Sequence, residues 1–372
     1  MSSTTLIDRF VRPAARDGEV ASRLVGVALV ALLAATFVSF LANSTLTVFP
    51  LVGFVVLTAY GWYAYQAVTA RVLTGSATAS TVAILTLIIV YLFQQAYPAF
   101  ELMGIQIVAL TGPIEVFGVT LVPGVGGSGD LWSTSQDIYS LAPMIWGTLV
   151  TTLIAMLVAG PLGIAGAIFI SEMAPPSVRE TVKPAVEVLA GIPSIVYGFI
   201  GFVIINGYMM DNFELPSIGS LFVVGMVIGL MSLPMVVTVA EDALSSVPHS
   251  MRDASVAMGV TEWQTTKSIT LPTAFSGVTA ALLLGVGRAV GETMAATVIL
   301  GHSQRLPEPL YDVFGNTETL TSLIASQYGN ANGIHMDALF AAGVVLFVTV
   351  LVLSVGSLAV EARMKSKLEG TQ

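Results

Sequence analysis

Long apolar runs recur along this chain, separated by shorter polar stretches. Runs near residues 24–43, 49–70, 79–97, 143–171, 185–207, 217–240, 274–300 and 338–360 are each long enough to cross a bilayer as a helix; a span takes about 17–25 residues. The pattern predicts an all-α integral membrane protein with about eight transmembrane helices, because a helix satisfies its own backbone where no water can. The runs fall into three regions. A polar N-terminal segment with three spans covers 1–97, a loop covers 98–142, and a five-span core covers 143–365. The long polar interruption of the second half runs from Glu241 to Pro272.

Composition agrees with this reading. Hydrophobic residues make up 55% of the 372 and charged ones 10%, with a mean hydropathy of +0.86; soluble domains carry about 25% charged residues. Cysteine is absent, which excludes disulfides and thiolate metal sites, and His249, His302 and His335 lack ligand spacing. Neither a metal nor a bound cofactor is expected. The run Leu24–Leu41 is long for the apolar part of a signal peptide and no clear small-residue cleavage site follows, so it reads as a retained span.

The net charge is -9, and the placement of the basic residues says more than the total. With a cytoplasmic N-terminus, the inner segments hold Arg9, Arg12, Arg16, Arg23, Arg71, Arg179, Lys183, Arg252, Lys267, Arg363, Lys365 and Lys367. Arg305 alone falls in an outer loop and Arg288 inside a span. The positive-inside rule therefore predicts a multi-pass plasma-membrane protein with both termini and the Glu241–Pro272 loop in the cytoplasm. The outer loops are acidic, with Glu101, Glu115, Asp130, Asp211 and Glu308 among others, so they would repel a bare anion rather than collect it; adaptation to high salt is one reading of them. Membrane lipid is the expected surrounding, and no nucleic-acid partner is expected.

The Gly- and Pro-rich segment Phe100–Ser140 reads as a flexible external loop. A nucleotide-binding glycine loop needs Gly-Lys-Ser/Thr with a helix behind it, and that pattern occurs nowhere in the chain. If ATP drives this protein, another polypeptide must bind it.

Within Glu241–Pro272 the local chemistry predicts two short helices joined by a bend. Ser250 with Asp253 three residues on, and Thr261 with Gln264, both read as capping boxes. Gly259 between them can take the left-handed conformation that ends a helix. Pro272 discourages a helix from running unbroken into the next span.

Other spans carry unusual residues at membrane depth. Gly160-Pro161, Gly163 and Gly166 lie in one, and Gly191-Ile192-Pro193 in the next. They fit a bundle interior lining a path, or simple close packing through small residues. Arg288 sits near the centre of the run 274–300, with Glu292 four residues on along the same predicted helical face. A central arginine costs about 2.5–3.5 kcal/mol on insertion scales, so it must meet protein, water or a ligand. One reading is a buried ion pair holding helices together. The other is an anion contact, since the guanidinium fork matches tetrahedral oxyanions. Gly287 and Gly291 would admit a close helix neighbour.

Several of these stretches carry a family resemblance. Asp253-Ala254-Ser255, three residues, Gly259, nine residues, Ile269, one residue and Leu271-Pro272 resemble the docking-loop signature of ABC importer permeases, with Asp and Ser as departures. Gly147–Thr152, Ala190–Gly198 and Gly287–Ala295 extend the resemblance to permeases of phosphate-specific importers of the PstC type, over roughly 140–365. The resemblance implies a type I (MetI-like) importer core and a non-enzymatic subunit. It implies a homologous second permease, a cytosolic ATPase dimer that binds ATP, and an external phosphate-binding protein. It also implies that Asp253, Ala254, Gly259, Ile269, Leu271 and Pro272 couple to the ATPase, while Arg288 and Glu292 lie on the anion path. The family core has one N-terminal span before it, and the extra spans within 1–97 are a departure. Alternatives are import of sulfate or molybdate, an ATP-independent transporter or channel, and a membrane anchor for a phosphate-sensing complex.

Overall fold

The structure, a computed structural model, describes residues 17–108, 114–116, 119–122, 131–213 and 218–369. Arg9, Arg12, Arg16 and the stretch from Pro123 to Asp130 lie outside the described residues. The chain divides into two compact units, Met1–Tyr91 and Leu92–Gln372.

The first unit is built on α1 (Asp17–Leu41), α2 (Val48–Ala64) and the start of α3 (Gln66–Met103). Asn43 in a left-handed conformation turns the chain after α1, and Ser44 Oγ accepts the amide of Leu46 as α2 approaches. α3 returns beside α1, with Gly26 of α1 against Val68 of α3.

The second unit begins with the rest of α3 and two short antiparallel hairpins, β1 (Ile114–Val116) with β2 (Val119–Val122) and β3 (Trp132–Ser133) with β4 (Ile138–Tyr139). Among the described residues nine helices follow: α4 (Ala142–Ile168), α5 (Pro176–Ala190), α6 (Ser194–Phe213), α7 (Leu221–Ser245), α8 (His249–Ala257), α9 (Glu262–Thr273), α10 (Phe275–Val290), α11 (Met294–Ile299) and α12 (Leu320–Gln327), before the terminal α13 (Ile334–Glu369). Among the described residues seven helices are long and apolar enough to cross a membrane, or eight if the bent pair α9–α10 counts as one span. The expected all-α membrane architecture is the one observed.

Two expected spans take a different form. The run 185–207 is cut at Gly191–Pro193: its first part belongs to α5, which carries Arg179, Glu180, Lys183 and Glu187, and α6 alone forms the span. Charges recurring every three or four residues make one face of α5 unfit for hydrocarbon. The run 274–300 is also broken, at Gly291–Thr293 between α10 and α11.

α4 and α7 form the centre of the unit. A Cβ at Gly163 of α4 would lie 2.6 Å from Val236 Cγ1 of α7, so only glycine permits this separation. α4 runs continuously through Gly160-Pro161, Gly163 and Gly166 and then widens into a π turn at Phe169–Met173. At Gly163 the geometry supports the close-packing reading. Buried apolar clusters follow one another along the unit. Tyr139, Leu141, Met144, Leu320 and Leu339 form one, Ile228, Ala289, Ala295 and Ile299 a second, and Ala167, Leu244, Ala274 and Val278 a third.

Candidate functional site

The polar interruption folds as a helix–bend–helix knob. Thr261 caps α9 with a complete capping box: its Oγ1 accepts the Gln264 amide at 3.3 Å, and Gln264 Oε1 accepts the Thr261 amide at 3.1 Å. The other expected box does not form. α8 begins at His249 with Pro248 at its N-cap and no side-chain cap, because proline's fixed φ already sets the first turn. Gly259 has φ +84° and ends α8 as its position requires. The Ser255 and Thr265 hydroxyls, 2.9 Å apart and buried, tie the two helices together. Asp253, Ala254 and Gly259 stay exposed, as do Met251, Val256, Met258 and Trp263. The knob therefore offers a mixed acidic and apolar face. Its root is fixed: Leu271 packs on the cluster of Ala167, Ala240 and Leu244, while Ile269 and Pro272 are half-buried. Past Pro272 the chain bends by 73° into α10.

A network of charged residues not foreseen as site residues anchors the knob to the bundle. Arg252 of α8 approaches Glu172 Oε1 at 3.1 Å and donates to the Leu244 carbonyl at 2.6 Å. Ser171 Oγ donates to the same Glu172 oxygen at 2.9 Å, and its hydroxyl lies 3.4 Å from that of Ser245. Ser245 Oγ donates to Glu241 Oε1 at 3.0 Å, and Lys183 Nζ of α5 donates to Glu241 Oε2 at 2.6 Å. Arg179 donates to the Ile170 and Ser171 carbonyls at the π turn. The chain of contacts thus joins α8, α4, α7 and α5. The hydrogen bond to Glu241 pushes the Lys183 pKa above its ordinary value, outweighing burial. These residues stand apart in sequence. The available signal was acids and bases held beside apolar runs, which does not reveal partners.

The broken helix places the other predicted pair. Arg288 lies in the last turn of α10, half-buried, and among the described residues it has no hydrogen-bond or ion-pair partner. Glu292 does not share a helical face with it, since α10 ends at Val290. Instead the buried Glu292 accepts the Ala295 amide at Oε1, 3.1 Å, and its carbonyl accepts the Thr321 hydroxyl at 2.7 Å. A cation near a helix C-terminus and an anion at the next N-terminus both suit the helix dipoles, so the break stabilises each charge separately. The expected Arg288–Glu292 pair is corrected accordingly: glycine at 291 ends the helix before the fourth residue can come round. A Cβ at Gly287 would meet nothing within 4 Å, so this side of α10 is open in the single chain.

A helical membrane bundle with a rooted polar knob and a broken, charge-bearing span defines a transport permease. The chain belongs to the family of binding-protein-dependent transport system inner membrane components, whose family model matches residues 159–366. The probable ABC transporter permease protein YqgH of Bacillus subtilis is 37% identical over 58% of this chain and 69% of its own. The phosphate transport system permease protein PstC of Haemophilus influenzae is 32% identical over 74% of this chain and 94% of its own. The fold also matches a chain from the crystal structure of a bacterial alginate ABC transporter in complex with alginate pentasaccharide-bound periplasmic protein, at a TM-score of 0.52 and 16% identity, over 79% of this chain and 95% of that one.

Proposed function

We propose that this chain is a permease subunit of an ATP-driven phosphate importer and forms the anion path together with a homologous second permease. The observation that carries the reading is Arg288: a half-buried guanidinium at a break in a span, with no acid among the described residues to neutralise it. Its planar fork suits a phosphate oxyanion, and keeping its charge unspent leaves it available to a passing anion. The open side at Gly287 gives the second permease room to close the path around it. Relatives named as phosphate transport permeases support the substrate.

On this reading the knob docks on a cytosolic ATPase dimer, which binds and hydrolyses ATP, while an external phosphate-binding protein delivers the anion. Asp253, Ala254 and Gly259 present the docking face, and Ile269, Leu271 and Pro272 hold its root. The basic residues favour cytoplasmic termini. A reporter at Thr265 is then cytoplasmic and one at Asn316 external; an external Thr265 would overturn the docking role. Substrate is tested by ATP-dependent uptake of labelled phosphate through the assembled importer. Excess sulfate or molybdate should leave uptake intact, and competition as strong as that of unlabelled phosphate would reassign the substrate.

A further inference from the structure

A break in a span frees backbone groups that a helix would have paired. In an unbroken helix the Gly291 and Glu292 carbonyls would accept the amides of Ala295 and Ala296, four residues on. Instead the Gly291 carbonyl accepts the Thr293 hydroxyl at 3.2 Å, the Ala295 amide donates to the Glu292 carboxylate at 3.1 Å, and the Glu292 carbonyl accepts the Thr321 hydroxyl at 2.7 Å. Thr293 and the Glu292 carboxylate belong to the break itself. Thr321 comes from α12, 29 residues further along the chain.

Thr321 is itself held in place. It is buried, and its one hydroxyl proton is spent on Glu292, so the Thr319 hydroxyl, 3.0 Å away, donates to it. Thr319 Oγ1 accepts the Ser322 amide at 3.1 Å and so caps α12. Thr148 of α4, also buried, accepts the Leu320 amide at 3.0 Å. Beside it, Gly147 gives the Glu318 backbone room that any side chain there would take. A line of buried hydroxyls thus runs from α4 through α12 to the break.

Resting on the anion-contact reading of Arg288, we infer that Thr321 is a positioning residue for that arginine. By holding the Glu292 carbonyl out of helical register, it keeps the Glu292 carboxylate away from the guanidinium. Without the hydroxyl, the carbonyl of a buried residue loses its partner, a cost the chain recovers by continuing α10 through Gly291. Glu292 would then lie one turn beyond Arg288 on the same helical face and neutralise it. The charge offered to the anion thus depends on a hydroxyl that touches neither the arginine nor the anion.

The test is ATP-driven uptake of labelled phosphate by the assembled importer in liposomes, with Thr321→Val, which keeps the side-chain shape and loses the hydroxyl. Uptake should fall roughly fivefold, about what one neutral hydrogen bond carries, with subunit composition as in wild type. Thr321→Ser keeps the hydroxyl and should transport as wild type does. Adding Glu292→Gln to Thr321→Val removes the neutralising charge and should restore most of the uptake, a recovery that a merely structural threonine would not show. Wild-type uptake by Thr321→Val would overturn the assignment, and so would an equal loss in Thr321→Ser. A loss that appears only with a loss of assembly, or a double variant no better than Thr321→Val, would overturn it too. Arg288→Gln, measured alongside, separates the two roles. If it transports normally, the anion contact itself fails; if it loses uptake while Thr321→Val does not, only the role of Thr321 falls.

Discussion

At the root of the knob Arg252 faces Glu172 at 3.1 Å and Lys183 faces Glu241 at 2.6 Å. At the break between α10 and α11, Arg288 faces no acid among the described residues, and Glu292 accepts a backbone amide instead. Both regions put charge beside apolar helices, but only one neutralises it within the chain. Where every charge has a partner, removing one should damage the fold. Where a charge is left over, removing it should spare the fold and strike function. That contrast is the proposed division between structural and transport residues in a protein where both look equally improbable in the sequence.

The largest structural effect should come from breaking the Arg252–Glu172 pair. Both side chains are mostly buried, so Arg252→Gln strands a carboxylate at a cost of about 3 kcal/mol. The melting temperature should fall, and Glu172→Gln added to it should recover most of the loss. A double variant no more stable than the single one would mean the pair does not act as a unit.

Next in size is the bend of the knob. Gly259→Val places a β-branched residue at φ +84°, with no neighbouring atom in the way, so the strain is purely in the backbone and amounts to roughly 1–3 kcal/mol. Co-purification with the ATPase subunit should drop for valine and be largely kept by Gly259→Asn, because asparagine tolerates the left-handed region. Equal behaviour of the two variants would remove the conformational explanation.

At the break, Glu292→Ala removes a helix cap and should lower stability by about 1 kcal/mol. Glu292→Gln keeps an acceptor oxygen and should melt nearly as wild type does. If glutamine were as harmful as alanine, the carboxylate charge rather than the cap would be what matters, and the contrast with Arg288 would weaken.

The smallest effect is on pH dependence. The folded-state pKa of Lys183 is raised by Glu241, so its contribution to stability is fully present below the ordinary lysine value of 10.5 and lost as pH rises through the folded value above it. Stability of wild type relative to Lys183→Met should therefore stay constant through neutral pH and narrow only in strong alkali. A narrowing near pH 7 would point to another group.

What could be read from the sequence follows how local each feature is. The Thr261–Gln264 box and the bend at Gly259 depend on residues within a few positions of one another, and both are present. The Ser250–Asp253 box was equally local but lost to Pro248, which starts α8 two residues earlier. Hydropathy could not tell that residues 185–190 belong to an amphipathic helix, because of the charges that decide it only Glu187 falls inside the apolar run, while Arg179, Glu180 and Lys183 precede it. The run containing Arg288 is apolar on both sides, so its window hides a three-residue break. Glu172, Lys183, Glu241 and Arg252 meet only through the packing of α4, α5, α7 and α8. No spacing rule spans such distances.

The unpaired charge at Arg288 is tested most directly by ATP-driven phosphate uptake in liposomes holding the assembled importer, wild type against Arg288→Gln. A hydrogen bond to a charged group is worth about 1.5–3 kcal/mol, so uptake should fall by roughly 10- to 100-fold. The melting temperature and subunit composition of the complex should match wild type. Wild-type uptake by Arg288→Gln would contradict the account, as would a loss of uptake that appears only together with a loss of assembly.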